Sequence, residues 1–157
     1  MTHAYDFRER LQAGERGEAV LDALFTQWYR IAPATPAQQR HGIDRIFTSR
    51  ESGAQIAVEY KTDSTASRTG NAFVETVSVD RAGKPGWAYT STATYLMYYV
   101  PGDDLLYILT FAALRQQLPR WLATYPTRSI PNRDYATQGI LVPLHEFERI
   151  AAEVQVI

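Results

Sequence analysis

Two apolar runs, TYLMYYV from residue 94 and LLYILTF from residue 105, flank PGDD. Runs of this length, rich in tyrosine and leucine and split by a turn sequence, read as a β-hairpin. A sheet is therefore the centre of whatever this chain folds into. Three further strands are expected: IDRIFTS from 43, QIAVEYK from 55 and AFVETVSV from 72, with RESGA as the turn between the first two. GILVPL, from 139, reads as another short strand.

Helical spacing precedes and follows these strands. From Tyr5 to Ile31, Leu21, Leu24, Phe25 and Trp28 recur every three or four residues. Two prolines in APATPAQQRHG, 32–42, break that pattern. FAALRQQLPRWLATY, from 111, predicts a helix with Pro119 as a kink or interruption, and PLHEFERIAAEV predicts a last one with Pro143 near its start. RAGKPGW, 81–87, reads as a loop. The order predicts an α/β or α+β class: an αβββ core, a hairpin and C-terminal helices, with helices packed on a mixed sheet.

The chain has 157 residues, enough for one domain over 1–157 with a real core. It has no cysteine, which excludes disulfides, thiol nucleophiles and thiolate zinc sites, and three scattered histidines argue against a histidine zinc site. A formal net charge of -1 gives no overall basic field. The polar start MTHAYDFRERLQAGERGE does not read as a signal peptide, and no apolar run would span a membrane. The expected location is cytoplasmic.

Only two of the sixteen basic residues are lysines, Lys61 and Lys84. Lys61 follows Glu59 by two positions in VEYKTD, so on a strand both point to one face while Ile56, Val58 and Tyr60 point to the other. Asp44 opens the first strand. Glu75, among Phe73, Val77 and Val79, reads first as an edge-strand charge. On the first helix Glu18 lies roughly 80° from the centre of the apolar stripe and Glu15 roughly 140°, so Glu18 reaches toward the sheet and Glu15 toward solvent. Carboxylates without cysteine or histidine suit a hard cation such as Mg²⁺, and a neighbouring lysine can stabilise charge developing on a phosphate. The ordinary alternatives are a surface ion pair for Glu59 and Lys61, a turn residue for Asp44 and a solvated helix flank for Glu18.

GID at 42–44, a hairpin, and EYK at 59–61 resemble the D…(D/E)-X-K signature of the PD-(D/E)XK nuclease superfamily, whose fold is restriction-endonuclease-like. The fourteen residues between Asp44 and Glu59 fall within that family's spread, and Ile43 stands where the family usually has proline. GERGE resembles the first helix of archaeal-type Holliday-junction resolvases, which supplies a further acid. The resemblance implies Asp44 and Glu59 as metal ligands, Lys61 as catalytic and Glu18 as an auxiliary ligand. It implies Mg²⁺, with Mn²⁺ able to substitute, DNA as the partner, and a homodimer among the assemblies allowed. Arg68, Lys84, Thr90 and Ser91, in the polar stretches STASRTGNA and GWAYTSTAT, are the expected nucleic-acid contacts. The rival reading is a catalytically weak or inactive nucleic-acid-binding or protein-interaction module of the same fold.

Overall fold

The structure is a computed structural model that describes residues 2–157, with side chains from residue 8 onward. Helix α1 (Thr2–Phe25) leads into strand β1 (Tyr29–Pro33), short helix α2 (Pro36–Arg40), and strands β2 (Arg45–Ser49) and β3 (Gln55–Thr62). Helix α3 (Ala66–Thr69), β4 (Asn71–Val79), β5 (Lys84–Pro85) and helix α4 (Trp87–Thr90) follow. The hairpin strands are β6 (Tyr95–Val100) and β7 (Leu105–Thr110), and helix α5 (Phe111–Thr124) follows directly. The chain ends with β8 (Thr127–Pro131), β9 (Ala136–Pro143), helix α6 (Leu144–Ile150) and β10 (Glu153–Val156).

A six-stranded sheet runs β1-β2-β3-β6-β7-β10, with β3 and β6 parallel and the other neighbours antiparallel. It is the expected mixed sheet flanked by helices. Its central hairpin is covered on both sides, as unbroken apolar strands require. On one face Leu21 and Phe25 of α1 pack with Phe47, Val58, Tyr60 and Met97. On the other, Leu96, Tyr98 and Leu109 pack under α5, α6 and a second sheet ordered β5-β4-β9-β8. Among the described residues no helix is long and apolar enough to cross a membrane.

Local pattern and structure part company where a sheet edge was available. The helical spacing runs to Ile31, but α1 stops at Phe25 and residues 29–33 pair with β2, Tyr29 opposite Ser49. Trp28 thereby leaves the apolar stripe and is half-exposed. At the other end the expected helix stops at Ile150, and β10 adds to β7, Glu153 opposite Ile108. In both places pairing with an open strand satisfies backbone groups that a frayed helix would leave to water. The third expected strand, β4, lies in the second sheet against β9. Gly70, at a φ of 74°, ends α3 and turns the chain out of the first sheet. The helix over 111–124 runs through Pro119, with Thr110 capping its start by accepting from the Ala113 N–H at 3.1 Å.

Helices α5 and α6 are tied by Glu146, a buried carboxylate that accepts from the Trp121 indole N–H, from Arg120 and, at 3.3 Å, from Arg149. Burial pushes this carboxyl up, but the three donors outweigh it and hold it at about 2, below its ordinary 4.5. A depressed carboxyl stabilises the fold fully above its unfolded pKa and loses that contribution as pH falls toward the folded one. Unfolding by urea at pH 6 and pH 3 should therefore show wild-type stability falling across this window. Glu146→Gln should flatten that fall and cost about 1.5–3 kcal/mol at pH 6, nearer the lower figure because both arginines are half-exposed.

Candidate active site

Asp44 sits where the pairing of β2 and β3 ends. Arg45 lies opposite Val58, the last pair of that ladder, and the Asp44 N–H also donates to the Val58 carbonyl at 2.9 Å, one step out of register. On the other side the Asp44 carbonyl accepts from Ala34 at 3.0 Å, in register with the β1 ladder. The Asp44 charge bears on Lys61, which puts its carboxylate on the side of the site. The Asp44 carboxylate accepts the Tyr60 N–H at 2.8 Å, which fixes its rotamer.

The approach to Asp44 is clamped from outside. Gly42 has a φ of 74°, and a Cβ there would come within 2.8 Å of the Ser91 backbone. Ser91, itself buried, donates its hydroxyl to the Gly42 carbonyl at 2.8 Å, and Thr92 donates its N–H to the His41 carbonyl at 2.8 Å. Ser91, one of the expected nucleic-acid contacts, thus gives its hydroxyl to the loop before Asp44. Thr90 is exposed, but its hydroxyl donates to Gly86 at 3.1 Å. Arg68 and Lys84 are both exposed, and Lys84 lies near enough to Glu75 to pull on its charge.

Glu59 and Lys61 form the centre. Glu59 is buried, and its Oε1 lies 2.8 Å from Lys61 Nζ. Its other oxygen, Oε2, is buried with no hydrogen-bond partner. A buried carboxylate oxygen left unpaired is costly. Lys61 is about one-third exposed and its ammonium sits 5.6 Å from the centre of the Trp87 ring. Burial pulls its pKa down, but Glu59, Asp44 and Glu75 together hold it above its ordinary value, so it carries its charge.

Glu75 belongs to this group, against the edge-charge reading. Its strand β4 lies between β5 and β9 and is not an edge. Its carboxylate accepts the Trp87 N–H at 3.3 Å. Burial raises its carboxyl, and Lys61 opposes the rise.

Glu18 is placed elsewhere. As the helical angles predict, it turns toward the sheet while Glu15 is exposed. There it meets Arg45 at 3.1 Å. Arg45 also pairs with Asp22 at 3.1 Å, and Asp22 accepts the Tyr60 hydroxyl at 2.9 Å. Arg45 and Tyr60 project from the face that α1 covers, opposite to that of Glu59 and Lys61. The structure therefore brings together Asp44, Glu59, Lys61 and Glu75, and leaves Glu18 in an ion-pair network behind them. That network still touches the site, because Arg45 Nη1 donates to the Asp44 carbonyl at 3.0 Å. Asp22 escaped sequence reading. The signal for it was its spacing of four from Glu18, which puts both acids on one helix face.

Among the described residues, no three carboxylate or histidine side chains converge closely enough to hold one metal ion. Two oxygen-bearing groups, Asp44 and Glu59, do bear on the same Lys61 ammonium. The unpaired Glu59 Oε2 and the all-oxygen chemistry of this pair fit a hard cation that completes its shell with water.

No family model matches the chain, and no curated protein matches it. Among solved structures it is similar to that of a bacterial homing endonuclease, I-Ssp6803I, at 17% identity over 83% of this chain and 76% of that one, with a TM-score of 0.48. A likeness of that size fixes neither a fold family nor an activity.

The clamp on Asp44 can be measured. Gly42→Ala should cost about 1–3 kcal/mol in urea unfolding, because it adds overpacking against Ser91 to the strain of a positive φ. Gly53→Ala, at a φ of 73° with nothing within 4 Å, should cost only the backbone part. Equal losses in the two variants would mean that the Ser91 contact does not fix the loop.

Proposed function

We propose that this chain is a divalent-cation-dependent nuclease of the PD-(D/E)XK kind, hydrolysing DNA phosphodiester bonds. The observation that carries this reading is the buried, unpaired Oε2 of Glu59, beside a charged lysine on which the Asp44 carboxylate also bears. An ion pair alone would leave no reason to bury that oxygen. The antiparallel run β1-β2-β3 packed by α1 also supports it, although it takes β1 in place of the expected third strand at 72–79, which lies in the second sheet.

Asp44 and Glu59 would hold Mg²⁺. When bound, the ion supplies Lewis acidity toward a phosphate and its attacking water. The residues of the chain do the rest. The Tyr60 N–H holds Asp44 in place. Lys61 presents an ammonium to the charge that grows on the phosphoryl oxygens in the transition state. Exposed Arg68 and Lys84 would meet the flanking backbone phosphates.

Two measurements test the reading. Asp44→Asn should abolish Mn²⁺ binding in isothermal titration while leaving the fold intact, because an amide oxygen is an uncharged, poorer ligand of nearly the same volume. Unchanged affinity removes Asp44 from the ligand set. Lys61→Ala should slow single-turnover cleavage of linear, nicked and four-way-branched DNA by about 10²–10³-fold, as loss of a transition-state donor does. Binding followed in Ca²⁺ should fall only slightly, since one phosphate contact among several is lost. Wild-type protein that binds this panel but cuts none of it in Mg²⁺ or Mn²⁺ would favour a binding module of the same fold.

A further inference from the structure

The chemistry above leaves Glu75 and Trp87 without a role, yet the second sheet brings both to Lys61. Glu75 takes the Trp87 N–H at 3.3 Å, and the residue before Trp87 is seated on Glu75 itself. That residue is Gly86, where a Cβ would lie 2.4 Å from the Glu75 carbonyl oxygen and 2.7 Å from its Cγ. Helix α4 therefore starts on the backbone and side chain of Glu75. The Trp87 ring is braced from behind by Phe111, edge to face at 6.3 Å, and offers Lys61 Nζ its face at 5.6 Å.

Lys61 thus has two anchors of different kinds. Glu59 pairs with it directly at 2.8 Å. Trp87 and, at longer range, the Glu75 charge hold it from the second sheet. The distinction matters once Glu59 shares its charge with a cation. A lysine on a flexible stem, one-third exposed and with its one ion-pair partner among the described residues engaged, gains by turning to solvent.

We propose that Glu75 is a positioning residue for Lys61: together with the Trp87 ring it keeps the ammonium at the site when the charge of Glu59 is withdrawn. The inference rests on the reading that Glu59 takes a cation, but its test needs no cation. Glu59→Gln withdraws the same charge at nearly the same volume.

Reductive ¹³C-methylation labels the amino terminus and the only two lysines, and Lys61→Arg and Trp87→Leu variants assign the Lys61 signal and its ring-current displacement. That displacement should persist in Glu59→Gln and in Glu75→Gln and vanish in the double variant. Release in Glu59→Gln alone, or retention in the double variant, overturns the proposal. Should the double variant not fold, Glu59→Gln with Glu75→Asp takes its place. The shortened side chain withdraws the carboxylate from Trp87 and Lys61, so the signal should move toward the free-lysine position, and an unmoved signal overturns the proposal.

Cleavage gives a second arm. Glu75→Gln should lower the single-turnover rate about ten-fold at unchanged KM, with no further loss in a Lys61→Ala background. A multiplicative loss there would mean that Glu75 does not act through Lys61. A wild type that cuts nothing defeats the nuclease reading and leaves the resonance result to decide this one.

Discussion

A carboxylate oxygen buried without a partner is the constraint around which this molecule is arranged. Glu59 sits on β3, an interior strand with β2 on one side and β6 on the other. Around Glu59 the strand is held on the β6 side by the ladder and on the β2 side, past the last pair at Val58, by the Asp44 carboxylate on the Tyr60 N–H. The side chain cannot relieve itself by moving the strand, and one of its oxygens is already given to Lys61. What remains is a fixed, desolvated acceptor.

The two faces of β3 divide the work. Toward α1, Tyr60 and the neighbouring Arg45 join Asp22 and Glu18 in a closed network of ion pairs and a hydroxyl bond. Toward the second sheet, Glu59 and Lys61 meet Glu75 and Trp87. Asp44 is where the faces communicate. The Tyr60 N–H holds its carboxylate and the Arg45 guanidinium holds its carbonyl. Glu18 thus bears on the site through Arg45 and not by reaching it.

The second sheet does for Lys61 what β3 does for Glu59. It is built from residues distant in sequence, β4 pairing with β9, and it seats the start of α4 on Glu75 with Trp87 against Lys61. The same α4 region clamps the loop before Asp44 through Ser91, while Arg115 of α5 donates to the Ala88 carbonyl at 3.0 Å and to that of Ser91. One short helix therefore fixes groups on both sides of the site.

The sequence by itself determined what period and turn chemistry control. The apolar runs at 94–111 had to form a buried hairpin, EYK had to put Glu59 and Lys61 on one face, and the helix angle had to turn Glu18 toward the sheet. Each follows from the geometry of a single element. Which strands become neighbours was decided only by the tertiary structure. Residues 29–33 and 153–156 became strands because open sheet edges were there to receive them, and β4 left the first sheet because α3 and Gly70 redirect it. The same holds within the site. That Asp44 takes the Tyr60 N–H and bears on Lys61 depends on how β2 meets β3, that Glu18 meets Arg45 depends on where α1 crosses the sheet, and that Glu75 and Trp87 reach Lys61 depends on a sheet closed across more than sixty residues of chain. Contacts between distant segments depend on how whole elements pack, and no local pattern encodes that.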